Sequence, residues 1–188
     1  MKKARTVVIG IVILACVGLG VFLVISRQPP PPPPPPKPTV AEHPAKPPVK
    51  VKIYRIAFEG NEAKLRPVEV EVPGEEVPAE GALRRLFEQG DERDLVNPIP
   101  KGTRLLSLKV KDGVATVDLS REFSDNFTGG SEEEALTIGV ILRTLGQFPE
   151  IKKVQFKLEG QPLDTLGHLD FSGPQDVNWV GTGLGGGN

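Results

Sequence analysis

Three side chains with catalytic potential lie close together near the end of the chain, at Asp164, His168 and Asp170. An acid beside a histidine can orient the imidazole as a general base. The other histidine, His43, lies in a proline-rich segment, and Cys16 is the single cysteine. A Cys–His nucleophile pair and a Cys/His zinc site are therefore excluded beyond that segment. We interpret the cluster as a polar turn with His168 hydrogen-bonded to backbone, and predict no enzyme activity, no catalytic residue and no cofactor.

Two further polar groups have the composition of ligand sites. The Gly-Gly-Ser segment 129–131 precedes a predicted helix, whose free N–H groups could cradle an anion. Three glutamates at the helix start oppose an anion, which favours a plain capping loop. Asp118, Glu122 and Asp125 could bind calcium, but they lack the loop spacing of calcium motifs. We interpret these acids as solvated surface and predict no metal site.

The elements that position these residues follow from hydrophobic periodicity. Alternating apolar and polar residues predict strands at 51–58 and 65–72, the second with Val68, Val70 and Val72 on one face. A helix is predicted over 78–89, because a proline at its first position and a glycine beyond its end suit the two helix termini.

A hairpin is predicted next, with strands at 106–110 and 115–119. Asp112-Gly113 joins them, because both positions of such a turn require positive φ. The residues that we expect to alternate inward on the first strand are Leu106, Leu108 and Val110.

The second helix is predicted over 131–145, with Ser131 capping a backbone N–H and Glu134 reaching back in a capping box. It is apolar around most of its circumference, which indicates the more deeply buried helix. A last strand follows at 153–158. The order β-β-α-β-β-α-β predicts an α+β fold, a mixed sheet of about five strands with two helices packed on one face.

An uncharged apolar run at 6–26 is long enough to cross a bilayer as a helix. The positive charges of segment 1–5 predict a cytoplasmic N-terminus, with the rest of the chain outside a cytoplasmic membrane that it spans once. A cleaved signal peptide usually has a shorter apolar stretch. A lipoprotein signal ending at Cys16 is the other alternative, although the sequence stays apolar after the cysteine.

Segment 27–48 is a predicted stalk. It contains eight consecutive prolines at 29–36, and prolines favour an extended polyproline II spacer because they fix φ and lack the N–H donor. The alternative is a docking site for an SH3-like or WW-like domain. The stalk is expected to hold the folded domain clear of the lipid.

The globular domain is predicted at 49–176, followed by a glycine-rich, disordered tail at 177–188. Residues 49–188 carry 17 Lys and Arg against 23 Asp and Glu, a net charge of −6. This balance argues against nucleic-acid binding, which needs clustered positive charge. With one cysteine no internal disulfide is possible. Trp179 is expected to staple the tail to the domain or, alternatively, to offer an exposed contact for a partner.

Several segments resemble the GerMN domain, which occurs in a sporulation and spore-germination protein and in bacterial envelope lipoproteins. They are NPIPKGTRLLS from Asn97, DGVATVDLSREF from Asp112, NFTGGS from Asn126, RTLGQFP from Arg143, VQF from Val154 and LGHLD from Leu166. The resemblance extends over 51–174 and implies an envelope domain without catalytic activity, related in shape to the ring-building modules of sporulation complexes.

The leading hypothesis is a non-enzymatic scaffold or assembly domain of the cell envelope, linked to sporulation or germination. Its expected partners are copies of itself or other envelope proteins, with the bilayer contacted through 6–26 and no nucleic acid. One alternative is a module that binds cell-wall glycan or peptide, with Tyr54, Trp179 and the phenylalanines as stacking surfaces. A wall hydrolase using Asp164 and His168 is the third hypothesis.

Overall fold

The computed structural model describes residues 46–88, 90 and 94–179, which belong to the unit Pro44–Asn188. The predicted segments 1–5 and 6–26 and nearly all of 27–48 lie outside these residues. Within the described part, no helix has the length and apolar character needed to cross a membrane.

The described chain begins with a long antiparallel hairpin. Strand β1 spans Val49–Glu59 and strand β2 spans Glu62–Val72. The register pairs Val51 with Val70, and these two valines and Val72 lie on one buried face. The predicted alternation on the second strand is confirmed, since Val70 and Val72 are buried and the glutamates between the valines are exposed.

A second, mixed sheet of five strands forms the other half of the domain. It contains β3 (Leu105–Lys111), β4 (Val114–Leu119), β5 (Lys153–Leu158), β6 (Gln161–Pro162) and β7 (Gln175–Asp176). Strands β4 and β5 run parallel, and the other pairs are antiparallel.

The α+β class and the mixed sheet of about five strands are confirmed, but the predicted membership of that sheet is wrong. The hairpin β1–β2 forms a sheet of its own, and β6 and β7 complete the larger one. The physical reason is that other groups occupy the outer edge of β1. Side chains of Thr144 and Gln147 and the backbone of Val96 take its hydrogen bonds, so β3 does not pair there.

The turn between β3 and β4 is confirmed, because Asp112 and Gly113 both have positive φ, 50° and 80°. The expected inward alternation of Leu106, Leu108 and Val110 on β3 is wrong, since Leu106 and Val110 are exposed. The register shifts at Leu106, and β3 is the edge strand of its sheet. An edge strand has a neighbour on one side only, so its apolar side chains are less completely covered.

The described part of the chain contains three helices beside the sheets: α1 (Pro78–Glu88), α2 (Glu122–Asp125, a single turn) and α3 (Ser131–Leu145). Helix α1 contacts β1, β2 and α3. Most of α3 is buried, as predicted, and its residues share one hydrophobic core with the inner faces of both sheets.

Helix α1 lies so close to the end of β2 that the contact requires a glycine. A Cβ at Gly81 would fall well inside the van der Waals radius of the Val72 Cγ1 atom, and Val72 is fully buried. A side chain at position 81 would therefore force the helix and the strand apart.

We expect Gly81→Ala to lower the free energy of unfolding by about 1–2 kcal/mol, because overpacking outweighs the better helix propensity of alanine. Denaturant unfolding of the full chain measures the change. The double variant Gly81→Ala/Val72→Ala serves as the control, since it removes the clashing methyl groups. A more stable Gly81→Ala variant would contradict the close packing.

A candidate protein-interaction groove

A groove of about 500 Å³ opens at the tip of the β1–β2 hairpin. This volume falls within the range of ligand clefts, roughly 300–1,000 Å³. Most of its lining is apolar, and its polar lining consists of amide, hydroxyl, carboxylate and backbone groups. The lining residues are Ile56, Phe58, Asn61, Val96, Pro98, Pro100, Asn126, Phe127, Thr128, Gly129, Glu132, Glu133, Leu136 and Thr137.

One wall of the groove is the loop after α1, which is fastened to β1 and to the helix end. Ile56 and Val96 exchange two backbone hydrogen bonds of 2.9 and 2.8 Å. The Asn97 side chain donates to the Leu86 carbonyl at 3.0 Å, and the buried Arg55 guanidinium donates to the same oxygen at 3.2 Å. These donors meet the negative end of the α1 dipole, where positive groups are favourable.

The opposite wall is the start of α3. Gly130 precedes the helix, and its N–H donates to the Glu133 carboxylate at 3.0 Å. The predicted caps, Ser131 and Glu134, are therefore wrong, because the helix begins one residue earlier than a Ser131 cap requires. The Gly130 N–H is engaged by Glu133, as expected of a capping loop and not of an anion site.

Glu134 instead lies fully buried, facing away from the groove. Its two carboxylate oxygens accept backbone N–H bonds from Leu166, His168 and Leu169 at 2.8, 2.9 and 3.2 Å. The carboxylate thus fastens the returning segment 164–171 to α3. Backbone donors of this kind replace the hydrogen bonds to water that a carboxylate loses when it is buried.

The predicted cluster of Asp164, His168 and Asp170 does not form a histidine–acid pair among its own members. The carboxylate near His168 is that of Glu134, 3.3 Å from Nδ1. Asp170 accepts the Ser172 N–H at 2.9 Å, and hydrogen bonds from Ser172 hold the pKa of Asp170 below its usual value. These contacts are those of a polar turn, but the predicted partner of the His168 ring is wrong, because the ring lies beside the Glu134 carboxylate and not at a backbone group.

The three acids considered for calcium are engaged separately or left to solvent. Asp118 accepts the Gly160 N–H at 2.9 Å, and Glu122 contacts Arg104 at 3.2 Å. A hydrogen bond from Ser120 is the main reason that the pKa of Glu122 is lowered. In residues 46–88, 90 and 94–179 no three acidic, histidine or cysteine side chains gather as metal ligands would.

Trp179 packs onto the domain, as the staple interpretation predicted. Its ring meets Phe171 edge-on at 6.4 Å, and Phe171 meets Phe156 at 6.3 Å. Val177 is also buried, so the packed chain continues beyond residue 176. Residues 180–188 of the predicted tail lie outside the described residues.

Sequence reasoning missed the groove and the role of Glu134. The signal for the groove is Phe58, an apolar residue two residues before the turn glycine Gly60, although it is in phase with the buried Ile56. Glu134 offers no comparable signal, because it follows two exposed glutamates in the same run.

The fold and groove therefore define an α+β domain with an exposed, mostly apolar groove at the tip of its first hairpin. Residues 52–164 match the family described as Germane: Sporulation and spore germination. The match covers more than half of the chain, which therefore belongs to this family, and the predicted GerMN relationship is confirmed. No curated protein matches the chain.

Solved structures with the same fold include GerMN domains of the Bacillus subtilis sporulation protein GerM. Its tandem domains are 21% identical (TM-score 0.57), with 69% of this chain and 45% of that chain covered. Its first domain alone is 23% identical (TM-score 0.52), with coverage of 68% and 92%. A candidate lipoprotein from Clostridium perfringens is 26% identical (TM-score 0.50), with coverage of 69% and 87%. The chain thus spans less than half of the tandem structure.

Proposed function

We propose that this chain is a membrane-anchored, non-enzymatic scaffold or assembly domain of the bacterial cell envelope that takes part in sporulation or spore germination. Membership of the Germane family supports the link to sporulation. The similar structures belong to a sporulation protein and to a candidate lipoprotein, a class held at membrane surfaces by acyl chains.

The sequence before the domain supplies the means of attachment. The apolar run 6–26 spans the cytoplasmic membrane once, with the N-terminus inside, and the proline-rich 27–48 holds the domain outside. The proposed domain begins at residue 49 and includes the packed residues Val177 and Trp179. A lipid at Cys16 would place the domain on the same side of the membrane.

The observation that supports an assembly role most directly is the exposed apolar lining of the groove. Phe58 is 61% exposed and Val96 38% exposed at its rim. Apolar surface of this kind, bordered by polar residues, marks interaction sites on soluble domains. Wall-glycan binding has less support, because Trp179, one of the few candidate stacking residues, already packs edge-on against Phe171.

Photo-cross-linking in cells tests the assembly role. A photoreactive residue is placed at one of three exposed positions, Arg84, Lys109 or Thr128, on separate surfaces of the full chain. We expect membrane-bound adducts with this chain or with another envelope protein from at least one position. Uncross-linked monomer at all three positions would contradict the proposal.

A further inference from the structure

The outer edge of β1 presents backbone groups at every second residue, and these groups are paired along most of the strand. Lys52 exchanges two hydrogen bonds with the Gln147 amide at 2.8 and 2.6 Å, and the Tyr54 N–H donates to Thr144 Oγ1 at 3.2 Å. Ile56 pairs with Val96. The two-residue period of a strand places the N–H and C=O of Phe58 next in this row.

At Phe58 the row of partners ends. Nothing in the described chain accepts from the Phe58 N–H or donates to its carbonyl. The same residue turns its exposed ring into the groove, beside Val96 and Phe127. An unpaired strand edge next to an apolar surface is a template for the addition of an extended peptide, with main-chain bonds giving affinity and side-chain pockets giving specificity.

The charge of the groove selects among peptides. Glu132 and Glu133 line it, and none of its described lining residues is basic. Glu133 is held by the Gly130 N–H, whereas Glu132 is exposed and makes no ion pair within the described chain. The two carboxylates outweigh the partial positive charge at the α3 N-terminus, which is equivalent to about half an elementary charge.

We propose that the groove binds an extended segment of a partner protein in which apolar residues alternate with lysine or arginine. The segment exchanges two backbone hydrogen bonds with Phe58, buries an apolar side chain against Phe58, Val96 and Phe127, and places a cation at Glu132. This inference rests on the proposed assembly function, for which it supplies the contact surface. The prolines at 29–36 cannot be the segment, because they lack the N–H that the Phe58 carbonyl requires.

Fluorescence anisotropy of labelled octapeptides with the full chain in mild detergent tests this inference. One pool alternates lysine with valine, isoleucine, leucine or phenylalanine, and a second pool carries glutamate in place of lysine. We expect the lysine pool to bind at least about tenfold more tightly than the glutamate pool, because like charges across an interface repel. Equal binding of the two pools, or no binding of the lysine pool, would overturn the proposed specificity.

Variants of the groove separate its three contributions. Phe58→Ala removes the ring, Phe58→Pro removes both the ring and the free edge N–H, and Glu132→Lys reverses the charge. Phe58→Ala and Glu132→Lys are each expected to weaken lysine-pool binding by about tenfold, as for a central interface residue, and Phe58→Pro is expected to weaken it further than Phe58→Ala because the N–H is lost as well. Val77→Ala is the matched control, since Val77 is also 61% exposed but lies away from the groove, and it should bind normally. Unchanged affinity in Phe58→Ala and Glu132→Lys, two surface changes, would overturn the groove assignment.

The in-cell cross-links separate failure of this inference from failure of the assembly function. Adducts with another protein from position 128 agree with the groove. Adducts from positions 84 or 109 alone would leave an assembly domain and overturn the groove as its contact surface. A position-128 adduct within this chain, or with a second copy of it, would also overturn the assignment to a partner protein.

Discussion

Replacement of Glu134 by alanine or by glutamine is expected to lower the free energy of unfolding by about 3–5 kcal/mol, the range for breaking a buried charged contact. The carboxylate is fully buried and accepts three backbone N–H bonds, two of them at a single oxygen, Oε2. Alanine leaves these donors without an acceptor. Glutamine keeps one oxygen but turns an NH₂ group toward at least one backbone N–H, so the similar shape does not rescue the contact.

Two measurements on the full chain test whether the Glu134 carboxylate holds the segment 164–171 against α3. Denaturant unfolding gives the overall loss, and hydrogen exchange reports the amides of Leu166, His168 and Leu169, which should lose protection first. Glu133→Gln is the matched control on the adjacent residue. Its exposed carboxylate accepts the Gly130 N–H, which a glutamine oxygen can also accept, so this change should cost no more than about 0.5 kcal/mol. A loss below about 1 kcal/mol in Glu134→Gln, with the three amides still protected, would show that the buried carboxylate does not hold the segment.

The contrast between Glu133 and Glu134 shows where sequence reasoning stops. Consecutive glutamates at a helix start fit a cap equally well on local grounds, and the helix was predicted from them. Which glutamate is buried depends on the segment 164–171, which returns to the helix about thirty residues later along the chain. Local periodicity holds no information about that return.

The elements that were predicted correctly are those whose signals are local. The hairpin β3–β4 follows from Asp112-Gly113 between two apolar runs, and both residues adopt positive φ. Strands β6 and β7 have two residues each, too few to show a period, and were missed. The separation of β1 from the larger sheet also escaped prediction, because the side chains of Thr144 in α3 and of Gln147 just after it, about ninety residues away, take its edge.

The groove was missed for the same reason. Its walls come from the hairpin tip, the loop after α1 and the start of α3, which only the folded chain brings together. Only the hairpin tip can be read from local sequence, since Phe58 is an apolar residue two residues before Gly60 of the turn. A single exposed apolar residue is common on protein surfaces. It indicates a binding site only when neighbouring apolar residues form a continuous surface with it, and the sequence does not show which residues are its neighbours.

Phe171→Ala is expected to lower the free energy of unfolding by about 3–5 kcal/mol, as for other buried phenylalanines. Phe171 is fully buried between Phe156 of β5 and Trp179, in edge-on contact with both rings. Its removal leaves a cavity and deprives Trp179 of its aromatic partner. Trp179 is the single tryptophan of the chain, so its fluorescence reports this contact without interference.

In Phe171→Ala the Trp179 emission should move to longer wavelength in the native state, because the indole becomes more exposed to water. Phe58→Ala is the matched control, the same chemical change at an exposed site, and should alter stability by no more than about 0.5 kcal/mol. A native emission identical to that of the unchanged chain would mean that β7 pairing and the buried Val177 hold the C-terminal segment without Phe171. A large loss of stability together with the shifted emission identifies Phe171 as the residue that packs this segment onto the five-stranded sheet.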